Sequence, residues 1–364
     1  MRHRNRFAIL LSLALCSCAD GNEVDQVEEA IVERAEIPLD PAEQKRIEDM
    51  ESARVQLLSD MELSLRPVQG RRGAAVKEVG RDLLVLAGSP EPMAQQSVSK
   101  LWVNLTIAEM VARGPMTYQD PVVVTNSDRA VFHQPLARRT ANGSVNTTVG
   151  ELMSMAITKS DNMANQVLMD LAGGPGAVQS WLSRHDVDVA FGPGDRVMQT
   201  AISGLAWDPR YADRQAFEAA RNSVPSGIRN ERFSLYAANP VDGAGVVEMV
   251  RALDAMYTGE YPGSTDVVSL MSNTVTGRSR LKAGTPAGWT LMHKTGTGQT
   301  WGRRRAGFND VGLLRSPEGR TYAVAVMIGD SDSGDRLMQE AIAGIAGAVV
   351  DYHERTQECC VRSM

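Results

Sequence analysis

The sequence predicts an α/β sandwich: an antiparallel sheet built from both ends of the body and packed against helices, beside a half that is all helical. Three observations predict it. Short β-rich apolar runs occur early, at 74–79 and 82–87, and again only late, at 289–294, 308–314 and 322–328. The stretch between them carries long helical patterns with capping residues. The last long segment, 335–352, places Leu337, Met338, Ala341, Ile342, Ile345, Ala346 and Val349 on one helical face.

Taken in order, Asp40 and Pro41 open the first helix. The acid can accept free N–H groups, and proline suits the first turn because its φ is preset and its missing N–H is not needed there. The helix is expected to run to about Leu65, followed by the two early strands with Gly80-Arg81 between them. Residues 97–112 read as a helix. Residues 148–172 read as one more, opened by Thr148 with Glu151 three residues on and closed by Gly173-Gly174. Residues 185–240 are rich in Gly, Pro, Asn and Asp and are expected to be irregular; loops this long in a compact domain are usually functional or mobile. Residues 241–257 are helical again, and Ser316-Pro317-Glu318-Gly319 supplies the turn of a late hairpin. No internal repeat is visible.

The chain has 364 residues, 43% apolar and 23% charged, with a net charge of −6. These values exclude a disordered chain and a polytopic membrane protein, and the acidic balance argues against a nucleic-acid binder. Arginine is frequent and lysine rare, so each lysine position is informative. The four cysteines sit at 16, 18, 359 and 360, which leaves no disulfide framework and no paired-cysteine zinc site in the body.

At the N-terminus, Arg2, Arg4 and Arg6 precede a nine-residue run at 7–15 that is apolar except for Ser12 and too short to span a bilayer. This reads as a cleaved export signal. Leu15-Cys16-Ser17-Cys18 resembles a bacterial lipobox, with Cys18 the better lipidation candidate because small Ser17 precedes it; cleavage after Ala19 is the alternative. The resulting organisation is a signal at 1–18, an acidic linker at 19–40, a body at 41–354 and a polar tail at 355–364. The protein is expected to be exported and periplasmic, lipid-anchored to a bacterial membrane, and monomeric.

Three short motifs carry chemistry. Ser97-Val98-Ser99-Lys100 puts a lysine three residues after a serine, on one face of a helical turn. A serine hydroxyl needs a base to become a nucleophile, and a buried lysine can serve. Ser160-Asp161-Asn162 and Lys294-Thr295-Gly296-Thr297-Gly298 follow. Each alone is weak: Ser279-Arg280-Leu281-Lys282 repeats the first pattern by accident, the second suits a helix kink or cap, and the third suits a strand-to-turn junction. In this order and together they form a signature of serine enzymes that acylate on SxxK.

The sequence resembles class A β-lactamases and the wider group of related serine hydrolases over most of residues 70–352. Gln96-Ser97-Val98-Ser99-Lys100 is similar to one branch of the family. Thr148-Val149-Gly150-Glu151-Leu152 through Ser160-Asp161-Asn162 to Gly173-Gly174-Pro175 is a close match, as is Thr276-Gly277-Arg278-Ser279-Arg280-Leu281 leading to the Lys294 motif and Asn309-Asp310-Val311-Gly312. The resemblance implies that Ser97 attacks a β-lactam carbonyl with Lys100 as acylation base, and that Ser160 passes a proton to the leaving nitrogen beside Lys294. It implies that Asn162 binds the substrate's side-chain amide, and that the N–H groups of Ser97 and Thr297 form an oxyanion hole. Thr295 and Thr297, next to Gly296, would bind the substrate carboxylate with help from one of Arg303, Arg304 or Arg305.

The family also needs a deacylation base in the pattern Glu-x-x-Leu-Asn. The nearest match is Glu218-Ala219-Ala220-Arg221-Asn222, with Arg221 in place of Leu, and Glu231 and Asp213 are weaker candidates. With a working base the enzyme destroys β-lactams. Without one it behaves as a penicillin-binding-type D,D-peptidase or a small-ester hydrolase; a non-catalytic β-lactam or peptidoglycan sensor is the third alternative. His293 precedes Lys294, but strand alternation points it away, so it is read as structural. Phe132 and His133 are candidates for the site entrance or for loop packing. No G-x-S-x-G, Walker A, dinucleotide fingerprint or HExxH occurs, so no metal and no cofactor is expected.

Overall fold

The computed structural model describes residues 40–141 and 143–361, with side chains as far as Gln357. The expected export signal, Cys18 and the linker up to residue 39 lie outside the described residues. The compact unit begins at Lys45. The five described residues before it open the first helix, where Asp40 Oδ1 accepts the Ala42 N–H at 3.1 Å.

In chain order the elements are α1 (Pro41–Leu65), β1 (Arg71–Glu78), β2 (Leu84–Gly88), β3 (Met93–Ala94), α2 (Lys100–Ala112), β4 (Pro121–Thr125), β5 (Ser144–Thr148), α3 (Val149–Thr158), α4 (Asn162–Leu171), α5 (Pro175–Arg184) and α6 (Asp195–Ile202). They continue as α7 (Arg214–Ser223), α8 (Ser226–Ala238), β6 (Gly243–Ala244), α9 (Val246–Thr258), α10 (Ser264–Met271), α11 (Leu281–Gly284), β7 (Thr290–Thr297), β8 (Thr300–Trp301), β9 (Arg304–Ala306), β10 (Phe308–Arg315), β11 (Thr321–Ser331) and α12 (Asp335–Val361).

The main sheet runs β2-β1-β11-β10-β7, every pair antiparallel, with β9 joining the end of β11 and β8 joining β9. Early and late segments thus share one sheet, as the sequence predicts. Period-2 alternation divides β11 between two cores. Tyr322, Val324, Val326 and Ile328 face one layer with Leu57 and Met61 of α1 and Ile342, Ile345 and Val349 of α12. Ala323, Ala325 and Met327 face the helical half, where α2, α3, α4 and α9 pack. Burial of each large aliphatic side chain contributes on the order of 2 kcal/mol. Helix α2 is apolar nearly all round and runs through the middle of that half.

Three expectations change. The single helix at 148–172 is two, because Ser160 takes a left-handed φ of 58° and Asp161 then caps α4, accepting the N–H groups of Met163 at 2.9 Å and Ala164 at 3.0 Å. Residues 185–240 are not irregular but carry α6, α7 and α8. Gly194, Asp213 and Pro225 there are helix-starting residues; Asp213 Oδ1 accepts the Ala216 N–H at 2.9 Å. Helix α12, expected at 335–352, continues to Val361 and takes in residues 355–361 of the polar tail. Among the described residues no helix is long and apolar enough to cross a membrane.

Candidate active site

The three motifs meet in one cleft of about 410 Å³, lined among others by Ser97, Ser160, Asn162, Thr295 and Thr297. Three of its lining residues, Gln96, Phe132 and Ser160, are non-glycine residues with φ of 54°, 62° and 58°. Such backbone costs roughly 1–3 kcal/mol per residue and persists only where neighbours over-determine it.

Gln96 shows how. Its N–H donates to Asp242 Oδ2 at 2.7 Å, and its Nε2 donates to Tyr236 Oη at 2.5 Å and to Ala306 O at 3.3 Å. Its Oε1 accepts from Gln199 Nε2 at 2.9 Å. Tyr236 in turn donates to Asp242 Oδ1 at 2.8 Å. Burial raises the Asp242 carboxyl to about 6. This clasp turns the chain so that Ser97, in a 3-10 turn at Gln96–Ser99, enters the cleft just before α2.

Lys100 is the first residue of α2 and is buried. Its Nζ donates to Ser97 Oγ at 2.9 Å and lies 3.2 Å from Asp195 Oδ2 at the start of α6. On the other side, Lys294 Nζ donates to Ser160 Oγ at 3.0 Å and to Thr295 O at 2.9 Å. Lys294 is fully buried; desolvation first, then the Lys100 charge, push its ammonium well below the ordinary lysine range. A lysine so placed holds positive potential beside Ser160 and can take part in proton transfer.

Strand β7 passes hard against the turn that carries Ser97. A Cβ on Gly296 would sit 2.3 Å from Gln95 O, and one on Gly298 would sit 1.7 Å from Ala306 O, so only glycine fits. Thr295 Oγ1 and Thr276 Oγ1 are 2.7 Å apart. Arg280 reaches across from the 276–281 turn, donating to Gly296 O at 3.0 Å, Asn309 O at 2.6 Å and Thr297 Oγ1 at 2.5 Å. Its burial lowers the guanidinium to about 10. Asn162 Nδ2 donates to Val131 O at 2.8 Å and its N–H to His133 O at 2.9 Å, which ties the 131–133 segment to the motif.

A family model described as the β-lactamase enzyme family matches residues 66–353. The chain belongs to the β-lactamase enzyme family. It is 25% identical over 266 residues to the extended-spectrum β-lactamase PER-1 of Pseudomonas aeruginosa, covering 72% of this chain and 76% of that one. It is 28% identical over 249 residues to a β-lactamase of Mycobacterium tuberculosis, covering 67% and 70%. The crystal structure of the TLA-1 extended-spectrum β-lactamase superposes with a TM-score of 0.68 at 22% identity, over 82% of this chain and 98% of that one, and shows the same fold.

Within this β-lactamase-family fold, Ser97, Lys100, Ser160, Lys294, Asn162, Thr295, Gly296 and Thr297 come together where the motifs predict. Glu218 does not. Its carboxylate is taken by Arg214 Nε at 2.8 Å near the protein surface, and it does not line the cleft. Glu231 is exposed on α8 and Asp213 caps α7; neither lines the cleft. The carboxylate that does is Asp195, buried and within reach of Lys100. Asp195-Arg196-Val197-Met198-Gln199 keeps the spacing of Glu-x-x-Leu-Asn with an acid, an apolar residue and an amide at the three positions. The signal was present, and a search for Glu alone passes over it.

Among the arginines, Arg303 is exposed, Arg304 is held by Asp330 at 2.6 Å, and Arg305 lines the cleft while bound to Asp335 at 2.9 Å. The cation on Thr297 is Arg280, which none of the three expected candidates matched. His293 Nδ1 hydrogen-bonds Asp310 Oδ1 at 2.8 Å inside the sheet, on the opposite face from Lys294. Phe132 and His133 both line the cleft.

Proposed function

We propose that this β-lactamase-family enzyme opens β-lactam rings through an acyl-enzyme on Ser97 and hydrolyses that acyl-enzyme with Asp195 as base. Ser97 Oγ attacks the lactam carbonyl carbon, and its proton passes to the Lys100–Asp195 pair. The ring C–N bond breaks, the leaving nitrogen takes the proton of Ser160, whose hydroxyl is held by Lys294, and the proton given up by Ser97 replaces it, which returns Asp195 to its carboxylate form. The N–H groups of Ser97 and Thr297 stabilise the oxyanion, a role worth about 3 kcal/mol per donor in serine hydrolases. Asn162 faces the substrate's acyl amide; Thr295 and Thr297, backed by Arg280, take the ring carboxylate. Asp195 then removes a proton from water, which attacks the acyl carbonyl; the acyl C–Oγ bond breaks and that proton passes through Lys100 to Ser97 Oγ, restoring both groups.

The observation that carries this reading is the unbroken contact line Ser97 Oγ–Lys100 Nζ–Asp195 Oδ2, at 2.9 and 3.2 Å, in a cleft that also holds Ser160 on Lys294. The test mixes the enzyme with a chromogenic cephalosporin, counting colour released per enzyme while following intact mass. Hundreds of turnovers with little adduct support the reading. A burst of one equivalent with a lasting adduct overturns the deacylation step and assigns a penicillin-binding-type activity. The export signal at 1–18, lipidation of Cys18, periplasmic anchoring and a monomeric state belong to the same proposal; Cys18→Ala releasing the enzyme from membranes is the corresponding check.

A further inference from the structure

The cleft is lined by three arginines, and they are not in the same state. Arg280 is spent on Thr297, Gly296 O and Asn309 O, and Arg305 on Asp335 and Gly298 O. The guanidinium of Arg221, from α7, has no hydrogen bond or ion pair among the described residues, and its Nε is buried without a hydrogen-bond partner. The nearest acid on its helix, Glu218, is taken by Arg214. A guanidinium facing a cleft with an unpartnered buried nitrogen is poised for an anion that arrives from outside.

Its place in the cleft says which part of a substrate it meets. The guanidinium lies 5.7 Å from the Phe217 ring centroid, and Phe217 packs edge-on against Phe132 at 5.1 Å. Phe132 sits in the segment that Asn162 holds through Val131 O and His133 O. Arg221 therefore belongs to the wall of Asn162, and Arg280 to the wall of Thr297. A substrate with its ring carboxylate on the second wall turns its acyl side chain towards the first.

We propose that Arg221 is a specificity-determining residue that selects β-lactams whose acyl side chain carries a second carboxylate. This rests on the acyl-enzyme reading above. The planar fork of the guanidinium matches a carboxylate with two parallel hydrogen bonds, which an ammonium does not reproduce.

The test compares α-carboxybenzylpenicillin with benzylpenicillin, which differ by that one carboxylate, on the wild-type enzyme, Arg221→Gln and Arg221→Lys. The quantity read is the ratio of kcat/KM for the two penicillins, or of their Ser97 acylation rates by intact mass if deacylation is slow. The ratio is expected to fall about tenfold in Arg221→Gln and about threefold in Arg221→Lys, the size of a charge-assisted contact. Raising salt from roughly 50 to 500 mM should lower the ratio for the wild type and leave that of Arg221→Gln unchanged. A ratio that stays within twofold in Arg221→Gln while Ser97 still acylates overturns this proposal alone. No adduct and no turnover with either penicillin overturns the acyl-enzyme reading and this proposal with it.

Discussion

Two walls of the cleft are built from different material. Ser97, Lys100 and Ser160 stand at the ends of elements that also form the core, before and at the start of α2 and at the α3–α4 junction, and Lys294 lies within strand β7. The facing wall, residues 195–242, is carried by three short helices, two of which, α6 and α8, form a small satellite cluster of Met198, Ile202, Phe233, Tyr236 and Ala237 with two residues of the sheet side. The first wall keeps the motif residues to the letter. The second keeps only their chemistry, with Asp195, Met198 and Gln199 at the spaced positions. Core-anchored positions tolerate little change because a shift disturbs packing on several sides. A loop wall can exchange residues of like function and lengthen, provided it returns a carboxylate to Lys100.

Four substitutions probe that contrast. Ser97→Ala, on the core wall, should abolish the adduct and lower β-lactam turnover by about 10⁴-fold or more, measured by intact mass and by colour release. Asp195→Asn, on the loop wall, should leave an acyl-enzyme that persists, with deacylation slower by about 10²–10⁴-fold; stopped-flow against single-turnover mass separates the two steps.

Asp242→Asn acts on the clasp that joins the walls. Burial raises the folded-state carboxyl from 3.8 to about 6, so its contribution to stability is complete below the unfolded value and is lost as pH rises through about 6. The asparagine has no such titration. The destabilisation caused by Asp242→Asn should therefore be greater near pH 4 than near pH 7.5 by about 2 kcal/mol, in urea unfolding at the two pH values. A difference of the opposite sign would contradict the buried-acid account. Glu218→Gln should do least, changing turnover less than twofold and stability by no more than about 0.5 kcal/mol, because it loses only an exposed pair with Arg214.

Legibility followed the same division. The strand pattern of the two ends gave the sheet, since β11 alternates between two apolar cores and its neighbours repeat the period. The three motifs were legible because each couples a local backbone rule to a side chain: SxxK to a helical turn, Lys294-Thr295-Gly296 to a strand that only glycine lets approach, Ser160-Asp161 to a helix cap. Residues 185–240 were misread because Gly194, Asp213 and Pro225 can start helices as readily as they make loops, and only packing decides. Glu218 fits the expected pattern by acid type, with Glu231 and Asp213 as its alternatives, whereas Asp195 is marked only by its environment beside Lys100. Arg280 was missed because its reach to Thr297 is a tertiary contact, while Arg303, Arg304 and Arg305 are nearer in sequence.

The central claim is that an acyl-enzyme on Ser97 is cleared by Asp195 on the loop wall. Intact mass after mixing with benzylpenicillin, on the wild type, Asp195→Asn and Glu218→Gln side by side, tests it most directly. The account predicts a stoichiometric, lasting penicilloyl adduct on Asp195→Asn, with the wild type and Glu218→Gln returning to free enzyme together. Free enzyme restored in Asp195→Asn at the wild-type rate, or an adduct trapped on Glu218→Gln, would contradict it.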